Sequence, residues 1–319
     1  MSFEQLMTHA RDIQRRAIEE ELELMRRRIG DDEDGVFDLE APVESMRPQI
    51  ERKYADVTSL FQPFAEMPDP SSFDGVISQL NQVLGILSAG EAGDAAKDPV
   101  NGTIFPANPK LTKVGGTESY IEDWTGPAAS AFKSEFIDPF PAVVQNQFIV
   151  ASVLKSALEA QREIWKNARA DIDKIAEDVL TALDRMHDCG KNKWTMTFTV
   201  MASVAAIAAV PLTAGASTFA LGLAVTAVGA ASQVAAAAAP DDPPAIQFSG
   251  ETPEVIILQM RRAIQKLYEG IADQEAKIAD AMQKTNSLVD QHRDMFVTKQ
   301  PALSRGHPGN IRDLMGYSR

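Results

Sequence analysis

The sequence predicts an all-α protein: an elongated helical bundle with two long antiparallel helices and an uncharged apolar helical hairpin between them. Two observations carry this. Apolar residues recur at three- and four-residue spacing along two stretches far longer than an ordinary globular helix, the mark of one buried helical face. Between those stretches, from Trp194 to Pro240, there is no Asp, Glu, Lys, Arg or His, although both flanks are densely charged. Water tolerates such a stretch only if protein covers it, whereas a bilayer accepts it with its backbone hydrogen bonds made internally.

The first predicted helix runs from Phe3 to Ile29. Ser2 and Gln5 have capping-box spacing, and Leu6, Ala10, Ile13, Ala17, Leu24 and Met25 follow at helical intervals until Gly30. Residues 1–30 form an N-terminal helical region. The acidic run Asp31 to Gly35 invites a calcium loop, but counting back from Gly35 puts Gly30 at the first ligand position and Ala41 at the closing one. A solvated linker fits better. Residues 31–141 then hold helices at Pro42 to Phe64, where proline suits a helix start, and at Phe73 to Ala89. From Glu91 to Ser119 the prolines Pro99, Pro106 and Pro109 and the Gly115-Gly116 pair predict a long loop.

The clearest periodicity lies in residues 142–300. Val150, Leu154, Ala157, Ile164, Ala168, Ile172, Ile175, Val179, Leu183 and Met186 form one stripe. Met260, Ile264, Leu267, Ile271, Ile278, Met282, Val289 and Phe296 form its counterpart after Pro253. Helices of this length should pair as an antiparallel coiled coil. The apolar stretch at 194–240 would then sit at one tip. It is long enough for two bilayer-length helices, and Pro211 and Gly215 make a turn cheap between them. Its expected membrane-contact residues are Phe198, Val200, Val204, Ile207, Val210, Leu212, Phe219, Leu221, Leu223, Val225 and Val228. Abundant alanine and threonine dilute its hydrophobicity, so burial in the fold, insertion in a membrane, or both in turn are open. The tail at 301–319 reads as loose.

Composition narrows function. Of 319 residues, 45% are apolar and 24% charged, which excludes disorder throughout. A net charge of -14 argues against nonspecific nucleic-acid binding and against simple adsorption to anionic lipid. Cys189 is the single cysteine and cannot form an internal disulfide, in keeping with folding in the cytoplasm. The N-terminus lacks the charged-then-apolar plan of a signal peptide, so export would need another route.

Enzyme signatures fail on inspection. Gly190-Lys191 lacks the upstream glycine and following Ser or Thr of a phosphate loop. The pairs Ser130/Lys133 and Ser152/Lys155 have no companion motifs, and His187 with Cys189 finds no second pair at zinc-ligand spacing. No catalysis, cofactor, metal or small-molecule substrate is expected.

One motif remains, Trp124-Thr125-Gly126 followed by Ala128, Ala129, Ala131 and Phe132. An aromatic at a bend can plug the seam between two helices while glycine permits the tight approach, with Asp123 as a candidate cap. On Trp124, Gly126, Ala129 and Phe132, the span from Phe73 to Phe148 resembles the WXG superfamily of helical-hairpin proteins handled by bacterial type VII secretion. The resemblance implies export without a cleaved signal peptide, pairing with itself or a helical secretion partner, and no enzymatic activity. Two features depart from it. The loop from Glu91 to Ser119 stands where the family's first helix approaches the tryptophan, and no tyrosine is followed by an acidic residue four places on. Alternatively, Trp124 is a core residue at a helix start.

In layout, the second half resembles the α-helical pore-forming toxins related to cytolysin A and the tripartite haemolytic enterotoxins, which hold an apolar hairpin against a bundle in water and release it on membranes. The expected protein is therefore non-enzymatic and secreted, with a hairpin that contacts membrane. A pore-forming toxin component is one alternative, and a cytoplasmic scaffold with the hairpin as permanent core is another.

Overall fold

The computed structural model describes residues 3–31, 43–89, 95–120, 123–186, 193–202, 204–214, 217–226, 245–250, 252–300 and 306–310. Ser2 of the capping box, most of the 31–35 acidic run, His187, Cys189, the Gly190-Lys191 pair, Val228 and most of the 301–319 tail lie outside these. The class is all-α, as the periodicity predicts.

A single tight turn, Phe3–Gln5, leads into α1, Leu6–Asp31, which buries Leu6, Ala10, Ile13 and Ala17 at the predicted spacing. The helix expected over 42–64 is instead two, α2 (Arg47–Lys53) and α3 (Val57–Ala65). Tyr54 closes α2 and is 1% exposed, its hydroxyl donating to Glu21 Oε2 at 2.9 Å. α4, Asp74–Leu87, matches expectation and buries Ile77 and Leu84.

The loop predicted over 91–119 is more ordered than its prolines suggest. β1 (Ala96–Lys97) and β2 (Ile104–Phe105) pair antiparallel, with Asp98 accepting from the Val100 amide and Asn101 from the Thr103 amide in the turn between them. α5, Pro109–Gly115, follows, capped by the Asn108 side chain, which accepts from the Lys110 amide. Pro109 occupies the first helical turn, where its missing donor costs nothing, so here proline starts a helix. α6 (Pro127–Phe132) and one wide turn (Lys133–Ile137) precede the two long helices, α7 (Phe140–Asp184, 45 residues) and α8 (Pro253–Gln291, 39 residues).

The first part of the α8 stripe is as predicted, with Met260, Ile264, Leu267, Ile271 and Ile278 all buried, whereas Met282 and Val289 are part-buried and Phe296 lies past the end of the helix. The start of the α7 stripe is offset by one residue: Val153 is buried at 1% exposure and Leu154 stands 40% exposed. Among the described residues no helix is long and apolar enough to cross a membrane.

The chain forms two compact units, each taking half of both long helices. The first comprises Met1–Pro70, Glu163–Ser203 and Pro240–Glu275. Its core includes Phe61, Phe64, Ile164, Ile172 and Leu267. The second comprises Ser71–Arg162, Val204–Ala239 and Ala276–Arg319. There Val100, Ile149, Val153, Met295 and Phe296 form a core cluster. Asn146 Nδ2 and Gln147 Nε2 donate to the carbonyls of Met295 and Phe296 at 3.0 and 2.7 Å, so the first turns of α7 meet the chain just past α8. The ion pair of Lys155 Nζ with Asp98 Oδ2 at 2.7 Å, with side chains 2% and 0% exposed, pins the β1–β2 turn onto α7.

Candidate functional site: the uncharged hairpin and its root

The uncharged stretch departs most from expectation, because its described residues are strands rather than a helical hairpin. β3 (Lys193–Thr197) pairs antiparallel with β6 (Ala245–Ser249), from Lys193↔Ser249 to Thr197↔Ala245. Between them β4 (Val204–Ala214) pairs antiparallel with β5 (Ser217–Thr226). Two properties of the sequence account for this. Pro211 in a helix interior costs about 3 kcal/mol and Gly222 about 1 kcal/mol more than alanine. Val, Ile, Thr and Phe favour the extended backbone, and Thr195-Met196-Thr197-Phe198-Thr199-Val200 alternates polar with apolar as a half-buried strand does.

That alternation is realised at the root of the hairpin. Met196, Phe198 and Val200 are 1%, 0% and 0% exposed. Phe198 and Val200, expected to touch membrane, therefore belong to the core of the first unit. A tight turn at Thr199–Ala202 follows β3. Asp171 of α7 receives it: Oδ1 accepts from the Thr199 amide at 3.0 Å and its hydroxyl at 2.8 Å, and Oδ2 accepts from the Val200 amide at 2.8 Å. Burial pushes the Asp171 carboxyl above its ordinary value, while these three donors and the Lys174 charge pull the other way. On the opposite side the turn meets α8 at Gly270. A Cβ there would lie 3.2 Å from Met201 Cε and Val200 Cγ1, so a residue without a side chain allows the close approach.

Beyond the root, the β4–β5 register sorts residues by size. Cα partners Leu212↔Phe219, Val210↔Leu221, Ala208↔Leu223 and Ala206↔Val225 share one face. Thr213↔Thr218, Pro211↔Ala220, Ala209↔Gly222 and Ile207↔Ala224 share the other. Of the expected membrane-contact residues, Val210, Leu212, Phe219, Leu221, Leu223 and Val225 thus fall on one face. Ile207 falls on the opposite face, and Val204, paired with Thr226, lies before a register shift.

The Trp124 region is built differently from a two-helix hairpin. The segments before it are the short α5 and a tight turn, Gly116–Tyr120, and no long helix leads up to the tryptophan. Gly126, not Asp123, is the cap of α6, with φ 106° and ψ 172°, a conformation open essentially to glycine alone. Trp124 is 37% exposed, which removes it from the core, whereas Ala129 is buried. Its ring lies 5.7 Å from Phe132, which lies 5.3 Å from Phe136, itself 5.8 Å from Phe140. These four aromatics form a continuous ladder from before α6, through the wide turn, to the first residue of α7.

The serine-lysine pair on α7 is engaged elsewhere: Ser152 donates to the Phe148 carbonyl while Lys155 pairs with Asp98. Among the described residues no group of three or more His, Cys, Asp or Glu is placed to hold a metal ion. Asp171, Gly270 and the Asp98–Lys155 pair escape a reading by motif, and their signal was a charge or glycine inside an apolar stripe. No protein-family model, curated protein or solved structure shows a significant match to the chain.

Proposed function

We propose that this is a non-enzymatic helical protein whose uncharged β-hairpin makes contact with membrane. One observation carries the reading: β4 and β5 are 11 and 10 residues long, without a charge, and their register puts the large apolar residues on one face. A ribbon with one large-residue face has a side suited to the surface of a bilayer, where its two edges, unpaired among the described residues, can keep water. The net charge of -14 favours uncharged over anionic lipid as its target. The test uses Cys189→Ser with Leu221→Cys carrying an environment-sensitive dye. Blue-shifted emission on adding phosphatidylcholine vesicles is expected, and Leu223→Asp should abolish it. Emission unchanged by vesicles overturns the reading.

A second reading concerns export, and the Gly126 geometry with the Trp124–Phe132 ring contact favours it. Here Trp124, Gly126 and Phe132 form a surface for a helical secretion partner of the type VII kind, with the buried Ala129 behind it. Export that persists unchanged in a producing cell lacking that secretion system would remove it.

A further inference from the structure

The first unit contains a cavity of about 330 Å³. It is bounded by the end of α3 and the residues after it, by Trp165 of α7, and by Tyr268, Ile271, Ala272 and Glu275 of α8. Three aromatic residues line it. Phe64 is 1% exposed and lies 4.5 Å, centroid to centroid, from the Tyr268 ring at an interplanar angle of 47°, while Tyr268 is 39% exposed. Trp165 is half-buried on the facing helix. Two carboxylates complete the lining, Glu66 and Glu275, and among the described residues it includes no Lys, Arg or His. Glu66 accepts from Gln62 Nε2 at 2.7 Å and is exposed.

Each component selects for the same chemistry. The faces of aromatic rings carry negative potential and attract a cation lying over them, most strongly one that is weakly hydrated. Alkylammonium groups satisfy this, because their charge is spread beneath methyl groups that also suit an apolar wall. A purely apolar ligand would leave the two carboxylates without benefit, and an anion would meet them as like charges. The size is also apt, since a volume near 330 Å³ lies at the lower end of small-molecule sites.

We propose that this cavity is a binding site for a small alkylammonium cation, held by the aromatic rings of Trp165 and Tyr268, the latter backed by the buried Phe64, and by the carboxylates of Glu66 and Glu275. The site stands apart from the hairpin reading and does not depend on it. Its test is calorimetric titration of the full chain with choline and with 3,3-dimethyl-1-butanol, which has the same shape without the charge, alongside the chemical shift of the Trp165 indole N–H. Choline should bind at least about tenfold more tightly than the neutral isostere, and Glu66→Gln with Glu275→Gln should remove that advantage. Both glutamates are at least partly exposed, so the double variant should keep the wild-type melting temperature. Tyr268→Leu should weaken choline more than the alcohol. Competition of choline with phosphatidylcholine vesicles would assign the cation to a lipid headgroup, and its absence would assign it to a free solute. Equal binding of choline and its isostere overturns the proposal. So does absence of saturation up to about 10 mM choline, or an unchanged titration in the Gln variants.

Discussion

Replacing Asp171 tests whether the hairpin root is fastened by one side chain. Its two oxygens satisfy the amides of Thr199 and Val200 and the Thr199 hydroxyl, and the residue is 2% exposed. Asp171→Ala leaves the buried Val200 amide and the part-buried Thr199 amide without acceptors. A buried orphaned donor costs about 1–3 kcal/mol, so about 2–4 kcal/mol is expected for the two together. Asp171→Asn keeps one acceptor oxygen, discards the charge that burial disfavours and orphans a single amide, so its loss should be about 1–2 kcal/mol, smaller than that of alanine. The assays are urea unfolding and hydrogen exchange at the Thr199 and Val200 amides. For the alanine variant, exchange there should quicken by more than about tenfold, the population shift that 1.4 kcal/mol of local loosening produces. The sign with pH is also fixed. The folded-state pKa is raised above that of the unfolded chain, so the charged carboxylate detracts from stability above the folded value. Wild type should therefore gain on Asp171→Asn as pH falls from neutral through the raised folded-state pKa towards the ordinary aspartate range. Equal losses for Ala and Asn, or exchange at Val200 as slow as in wild type, would refute the fastening role.

Further substitutions test three other contacts. Gly270→Val would drive methyl groups into Val200 and Met201, and should cost about 1–3 kcal/mol while accelerating exchange at the root; Gly270→Ala, relieved by the flexible Met201 side chain, should be far milder, as thermal melts can show. Gly126→Ala places a Cβ in a conformation with φ 106°, costing about 1–3 kcal/mol by urea unfolding, whereas Trp124→Ala should cost less because the ring is 37% exposed. Lys155→Met strands the Asp98 carboxylate in the core and should cost about 3–5 kcal/mol; adding Asp98→Asn, which still accepts from the Val100 amide, should recover most of it, and a double variant no better than the single would count against a paired burial.

The long helices were legible because a 3.6-residue period repeated over ten turns leaves little room for another reading. The stripe of α8 and the 45-residue extent of α7 both follow from it. Errors arose where periodicity is short or silent. Val153 and Leu154 are adjacent apolar residues, and only packing decides which turns inward. In the uncharged stretch the many alanines favour helix while Val, Ile, Thr and Phe favour strand, so local preference pulled both ways and absence of charge spoke to burial and not to backbone. The local cue for β3 was the alternation from Thr195 to Phe198, whose apolar members Met196 and Phe198 are buried. Pro109 misled in the opposite way, since proline ends helices and also starts them.

The buried charges of α7 share a physical reason that links the fold to its candidate site. Two helices packed along apolar stripes have already satisfied their backbones internally, so their contact needs no polar side chain. A non-helical segment landing on a helix brings amide and carbonyl groups that must find partners out of water. Lys155 stands where the β1–β2 turn lands, pairing with the aspartate that holds the Val100 amide. Asp171 stands where the chain enters the hairpin, holding the amides of Thr199 and Val200. Asn146 does the same for the Met295 carbonyl past the end of α8. Each is a polar interruption of an apolar stripe, and each marks a docked segment. For the hairpin the consequence is mechanical: its root is tied to α7 by a polar clamp and to α8 by a glycine-sized approach. On the proposed reading, contact of β4 and β5 with lipid would keep both root contacts, because neither involves a residue of β4 or β5.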